Sequence, residues 1–160
     1  MRKLKNNELN RLNLEEFKKS KKTPFVIVLD NVRSAHNVGS IFRISDAFLI
    51  EKIYMCGVTS KPPHKDIRKT ALGASESVEW EHHNNSTDCI QQLKKKGYQI
   101  ISIEQAEQAV MLNDFMPKKG IKYALIFGNE VKGVEQSVVS ASDIVIEIPQ
   151  YGTKHSLNIS

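Results

Sequence analysis

Phe25-Val26-Ile27-Val28-Leu29 is an unbroken apolar run between Pro24 and Asp30. A strand with one wet face alternates polar and apolar residues. A strand without that alternation is expected in a parallel sheet, buried on both faces. The rest of the chain fits that frame. Further strands are predicted over 52–57, 77–80, 98–103, 122–127 and 143–148, and helices over 39–48, 67–72, 87–96 and 135–141. Alternation of strands with helices predicts an α/β domain with a mostly parallel sheet flanked by helices. The 160 residues suit one such domain.

Ahead of it, residues 8–20 are predicted as an amphipathic helix, with Leu9, Leu12, Leu14 and Phe17 on a broad apolar face. We divide the chain into a basic N-terminal extension, 1–23, and a domain, 24–160. The division follows the charge. Of a net +5, residues 1–22 carry eight Lys/Arg against three Asp/Glu, and the remainder carries fifteen of each. Such an arm suits a polyanion, either a nucleic acid or an acidic membrane surface, or else it is a solvated leader.

The apolar runs are too short to span a bilayer, and no apolar signal core follows the basic start, so a cytoplasmic protein is expected. The two cysteines, Cys56 and Cys89, have no paired spacing, which excludes a disulfide framework and a four-cysteine zinc site. The five histidines show no ligand spacing, and no metal is expected.

Parallel α/β sheets bind ligands at the carboxyl ends of their strands, so the loops after Leu29, Phe127 and Ile148 are the candidates. The first runs from Asp30 into a helix. Asn37 is expected to cap that helix, Gly39 and Ser40 to offer free N–H groups to an anion, and Arg43 to point at the same place. The second, Gly128-Asn129-Glu130-Val131-Lys132-Gly133, sets a polar pair between glycines. There Gly128 allows a close ligand approach or an unusual backbone angle, and Glu130 meets a ligand or braces Arg43. The third carries Ser156 and Asn158 where another helix is expected to start. Neither a Gly-x-Gly-x-x-Gly fingerprint nor a Walker loop is present.

These loops, in this order, resemble the three signature motifs of the TrmH/SpoU family of RNA ribose methyltransferases, within the SPOUT superfamily. Asn37, Gly39 and Arg43 match the first motif. Gly128, Asn129, Glu130 and Gly133 match the second. Ile148, Pro149, Gly152, Ser156, Leu157 and Asn158 match the third. The resemblance spans residues 24–160. It implies a SPOUT-type fold with a C-terminal deep trefoil knot, S-adenosylmethionine as cofactor, tRNA or rRNA as substrate, and a homodimer with the site near its interface. It also implies a helix after the third motif that completes the knot and covers the cofactor.

By the same resemblance Arg43 activates the ribose 2′-hydroxyl. A guanidinium hardly ever loses its proton, so its expected role is to stabilise the developing alkoxide and grip a phosphate that takes the proton. Asn37 positions Arg43 or the substrate, Glu130 orients the loop, and Ser156 and Asn158 complete the catalytic set. Gly128, Asn129, Ile148 and Leu157 are the expected cofactor contacts. Arg33, Lys65, Arg68 and Lys69 are candidate RNA contacts. The rival reading is a non-catalytic RNA-binding protein on the same fold.

Overall fold

The computed structural model describes residues 1–160, except the side chain of Asn6. Seven strands form one sheet: β1 (Thr23–Asp30), β2 (Ile50–Cys56), β3 (Trp80–His83), β4 (Tyr98–Ile103), β5 (Val110–Met111), β6 (Lys122–Phe127) and β7 (Ile144–Glu147). Their order is β3-β2-β1-β6-β4-β7-β5, and every pairing is parallel. The helices are α1 (Leu14–Lys19), α2 (Ala35–Ala47), α3 (Lys65–Ala71), α4 (Ala74–Ser77), α5 (Ser86–Lys95) and α6 (Gln136–Ala141).

The opening apolar run is the heart of β1, paired with β2 on one side and β6 on the other. Its side chains alternate between two cores. Ile27 and Leu29 pack with Phe17, Ile41, Phe42, Ile53, Met55 and Ile67, under α1 to α4. Val26 and Val28 pack with Ile90, Leu93, Ile100, Ile126 and Val138, under α5 and α6. Because both faces are covered, neither tolerates a polar residue, and the run shows no alternation. Among the described residues no helix is long and apolar enough to cross a membrane.

Several expected boundaries move. The helix predicted over 8–20 is confined to α1, preceded by a 3-10 turn at Asn6–Glu8. Asn13 caps α1 by accepting from the Glu16 N–H, and Glu16 accepts from the Asn13 N–H in return. That reciprocal pair fixes the start at residue 14. Of the proposed apolar face only Phe17 is buried, while Leu9, Leu12 and Leu14 stay exposed. Residues 77–80, expected as a strand, divide between the end of α4 and the start of β3. No helix begins near Ser156, and residues 148–160 are irregular. The two-residue strand β5 was not expected, because it has too few residues for any period.

Candidate active site

The carboxyl ends of β1, β4, β6 and β7 bring the three candidate loops together. The first loop begins with Asp30, which is fully buried. Its carboxylate accepts the backbone N–H of Glu135 at 2.8 Å, the Asn31 amide at 3.0 Å and the Ser86 hydroxyl. Asn31 follows in the left-handed region, φ +54°, which asparagine tolerates better than most side chains. Its carbonyl accepts from Asn129 Nδ2 at 2.8 Å, its side-chain oxygen accepts the Val58 N–H, and its Nδ2 also donates to Glu135. Asp30 and Asn31 thus tie the ends of β1, β2 and β6 to the start of α6. Sequence reasoning assigned them no role. The available signal was an acidic residue directly after a fully apolar strand.

The helix that follows starts earlier than expected. Ser34, not Asn37, is its cap, accepting the Asn37 N–H at 3.3 Å. Gly39 and Ser40 therefore lie beyond the first turn and offer no free N–H groups, so the anion site expected there is absent. Gly39 has a packing reason instead. A Cβ would sit 1.9 Å from Thr70 Oγ1 and 2.6 Å from the Ile67 carbonyl, so glycine lets α2 and α3 cross closely. Arg43 lies on the exposed side of α2, with no ion pair among the described residues.

Glu130 does not brace Arg43. Its carboxylate accepts the N–H groups of Arg33 and Ser34, both at 3.0 Å, and Asn37 Nδ2 at 2.9 Å. Partial burial pushes its pKa up, but these donors outweigh burial and hold it below the ordinary carboxylate value. The second loop is itself rigid. Asn129 and Gly133 exchange backbone hydrogen bonds at 2.9 Å, and Asn129 Oδ1 accepts from Val131 and Lys132. Gly128 also lies close against its own chain: a Cβ there would meet the Gly133 carbonyl carbon and the Val134 nitrogen. Glu104, at the end of β4, accepts the Val134 N–H at 2.8 Å and was likewise missed.

A cavity of about 660 Å³ opens between the second and third loops and the end of β4. Phe127, Ile148 and Leu157 give it apolar walls, and Gly128, Asn129, Glu130, Ser156 and Asn158 also line it. Arg43 lines a different hollow of about 540 Å³, with Ser40, Lys69, Thr70 and Ser160. One chain therefore brings Asn37 and Glu130 into contact and sets Ser156 and Asn158 with Glu130 around the cavity, while Arg43 lines the other hollow, which Ser160 also reaches. Asn158 hydrogen-bonds only to Ser160 among the described residues. Arg33, Lys65, Arg68 and Lys69 are all exposed. Among the described residues no cluster of three or more His, Cys, Asp or Glu could hold a metal ion.

The SpoU rRNA Methylase family model matches residues 24–160. An uncharacterized tRNA/rRNA methyltransferase of Borreliella burgdorferi is 33% identical over 150 residues, covering 92% of this chain and 63% of that protein. The 23S rRNA (guanosine-2'-O-)-methyltransferase RlmB of Neisseria meningitidis is 26% identical over 137 residues, covering 86% of this chain and 54% of that protein. The chain thus spans between about half and two thirds of these relatives. Among solved structures, an AdoMet-bound rRNA methyltransferase from Sinorhizobium meliloti aligns with a TM-score of 0.80 at 25% identity, over 87% of this chain and 52% of that one.

Proposed function

Because the chain belongs to the SpoU rRNA methylase family, we propose that it methylates a ribose 2′-hydroxyl of tRNA or rRNA, using S-adenosylmethionine. The observation that carries this reading is the cavity between the second and third loops. Its make-up fits the cofactor. Phe127, Ile148 and Leu157 offer apolar walls for an adenine, and the loop backbone offers hydrogen-bond partners. Glu104 and Glu130, against Lys132, leave the lining with an excess of carboxylate that would suit a cationic cofactor. On this reading Gly128, Asn129, Ile148 and Leu157 hold the cofactor, which when bound supplies an electrophilic methyl group.

The chain's own residues position the acceptor. Arg43 stays protonated, steadies the developing alkoxide and grips a neighbouring phosphate that takes the proton. Glu130 fixes Asn37 and the loop entering α2, and so orients the helix carrying Arg43. Ser156 and Asn158 complete the catalytic set on the cofactor side. Arg33, Lys65, Arg68 and Lys69 hold RNA phosphates.

A homodimer, a trefoil knot and a cytoplasmic location belong to the same proposal. The separation of Arg43 from the cavity supports a site shared by two protomers. The path of the C-terminal segment supports the knot, since Ile148, Gln150 and residues 155–159 line the cavity while Ile159 also packs against the core under α1 to α4 and Ser160 reaches the Arg43 hollow. A cytoplasmic location follows from an RNA substrate.

Calorimetric titration of S-adenosylmethionine into the wild type and Arg43→Ala tests the reading. Both proteins should bind, and only the wild type should transfer labelled methyl to RNA. Absence of binding by both overturns the cofactor assignment. Arg43→Lys keeps the charge but loses the planar fork, and turnover should fall at least tenfold. Near-normal turnover would remove the fork from the mechanism.

A further inference from the structure

We propose that Asp30 is a positioning residue for methyl transfer. Through the start of α6 it holds the second loop, and with it the cofactor, in line for reaction while touching neither reactant. The role rests on the methyl-transfer reading above. Asp30 does not line the cavity, whereas Gly128 to Gly133 do, and the catalytic and binding sets above leave it out.

Asp30 is fully buried, and no Lys or Arg pairs with it among the described residues. Its donors are all neutral: the Glu135 N–H, Asn31 Nδ2 and the Ser86 hydroxyl. Burying a carboxylate with no cation beside it is costly. Where only stability is at stake, well-packed apolar residues usually do as well as a buried charge. Leu29 and Val32, on either side of the Asp30–Asn31 pair, are such residues, both fully buried. A local rule broken next to a ligand cavity marks a functional position.

Asn129 Nδ2 donates to the Asn31 carbonyl, and the Glu135 N–H donates to Asp30 Oδ2, both at 2.8 Å. Two consecutive residues at the end of β1 thus pin both ends of segment 129–135. Between the pins the segment is braced. Asn129 and Gly133 exchange backbone hydrogen bonds, and Glu104 at the end of β4 accepts the Val134 N–H. A braced segment moves as a unit, so releasing one pin tilts a wall of the cavity rather than one side chain. Transfer needs the acceptor oxygen, the methyl and the sulfur in line, and a misplacement of about 1 Å can cost about a hundredfold in rate. Both oxygens of Asp30 are in use: Oδ1 accepts from Asn31 and Ser86, and Oδ2 from Glu135. An asparagine there has one acceptor oxygen. Whichever way it turns, its NH2 faces either the Glu135 N–H or Asn31 Nδ2, and one tie is lost.

The test compares Asp30→Asn with Ser86→Ala in the full chain. Three things are measured: transfer of labelled methyl to in-vitro-transcribed tRNA and rRNA, calorimetric binding of S-adenosylmethionine, and hydrogen exchange in segment 128–135. Asp30→Asn should lower kcat about a hundredfold. Its KM for RNA and its Kd for S-adenosylmethionine should each stay within about threefold of wild type. Exchange in the segment should quicken about tenfold or more. Ser86→Ala removes a donor but keeps both pins. It should lower the melting temperature and leave kcat within about twofold. Glu135→Pro removes the same N–H from the other side, and the φ of −58° at Glu135 already suits proline. It should lose kcat as Asp30→Asn does, and the double variant should be no worse than the worse single. Glu135→Ala keeps the N–H and is its control.

A wild-type kcat in Asp30→Asn overturns the proposal. So does an equal loss in Ser86→Ala, or a fall in kcat matched by the fall in cofactor affinity, since either makes Asp30 a folding residue only. If Asp30→Asn does not fold, Glu135→Pro against Glu135→Ala decides by the same measurements. Absence of both cofactor binding and transfer in the wild type sinks the methyl-transfer reading. Hydrogen exchange then judges the tie by itself: faster exchange in Asp30→Asn sustains it, and an unchanged rate overturns it.

Discussion

Glu130 holds its charge next to three N–H donors rather than next to a cation. Its pKa is lowered in the folded chain, so its contribution is fully present above the unfolded carboxylate value of about 4.3 and is lost as pH falls below that, through the folded value. Glu130→Gln should cost about 1 kcal/mol near neutral pH, after allowance for solvent screening. In melting curves the gap from wild type should close in acid, and a gap independent of pH would sink this account. Turnover should fall at least tenfold, because the loop leading to Arg43 loosens. Gly128→Ala places a Cβ against backbone that cannot swing aside. It should destabilise by about 2–3 kcal/mol and abolish cofactor binding by calorimetry. The residue types at these positions were legible in the sequence, but their partners were not. Glu130 meets Asn37 across 93 residues, and no local pattern records such a pairing.

Helix α2 shows the same division at the scale of an element. Its apolar positions Ile41 and Phe42 could be read from spacing, and both are buried. Its start could not be, because Ser34 and Asn37 are both good caps and the choice fell to the loop geometry that Glu130 imposes. Ser34→Ala should cost about 1 kcal/mol. Gly39→Ala sets helix propensity, which favours alanine by about 1 kcal/mol, against a clash with the Ile67 carbonyl and Thr70 Oγ1. The clash should win. The melting temperature should fall, and Thr70→Ala should restore only part of it because the carbonyl remains. A rise in stability for Gly39→Ala would show that α2 and α3 can separate. The arm was harder to read than α2, since its leucines have helical spacing but only Phe17 finds a core to enter.

Across the whole molecule, a ligand that binds only the folded state stabilises it by mass action. S-adenosylmethionine at a hundred times its dissociation constant should add about 2.7 kcal/mol, a rise of roughly 5–11 °C for a chain of this size. Glu130→Gln should show less, and Gly128→Ala none. The sequence by itself determined the α/β class, most of the strands, the two-faced burial of β1 and the three strand-end loops that the fold brings together, because burial on two faces and strand-end glycines leave local marks. Only the tertiary structure decided the strand order, the node at Asp30 and Asn31, the true cap of α2 and the separation of Arg43 from the cavity. Those depend on backbone and side-chain hydrogen bonds between segments as far as 105 residues apart. Such contacts exist only once the crossovers have brought β6 in beside β1 and β7 beside β4.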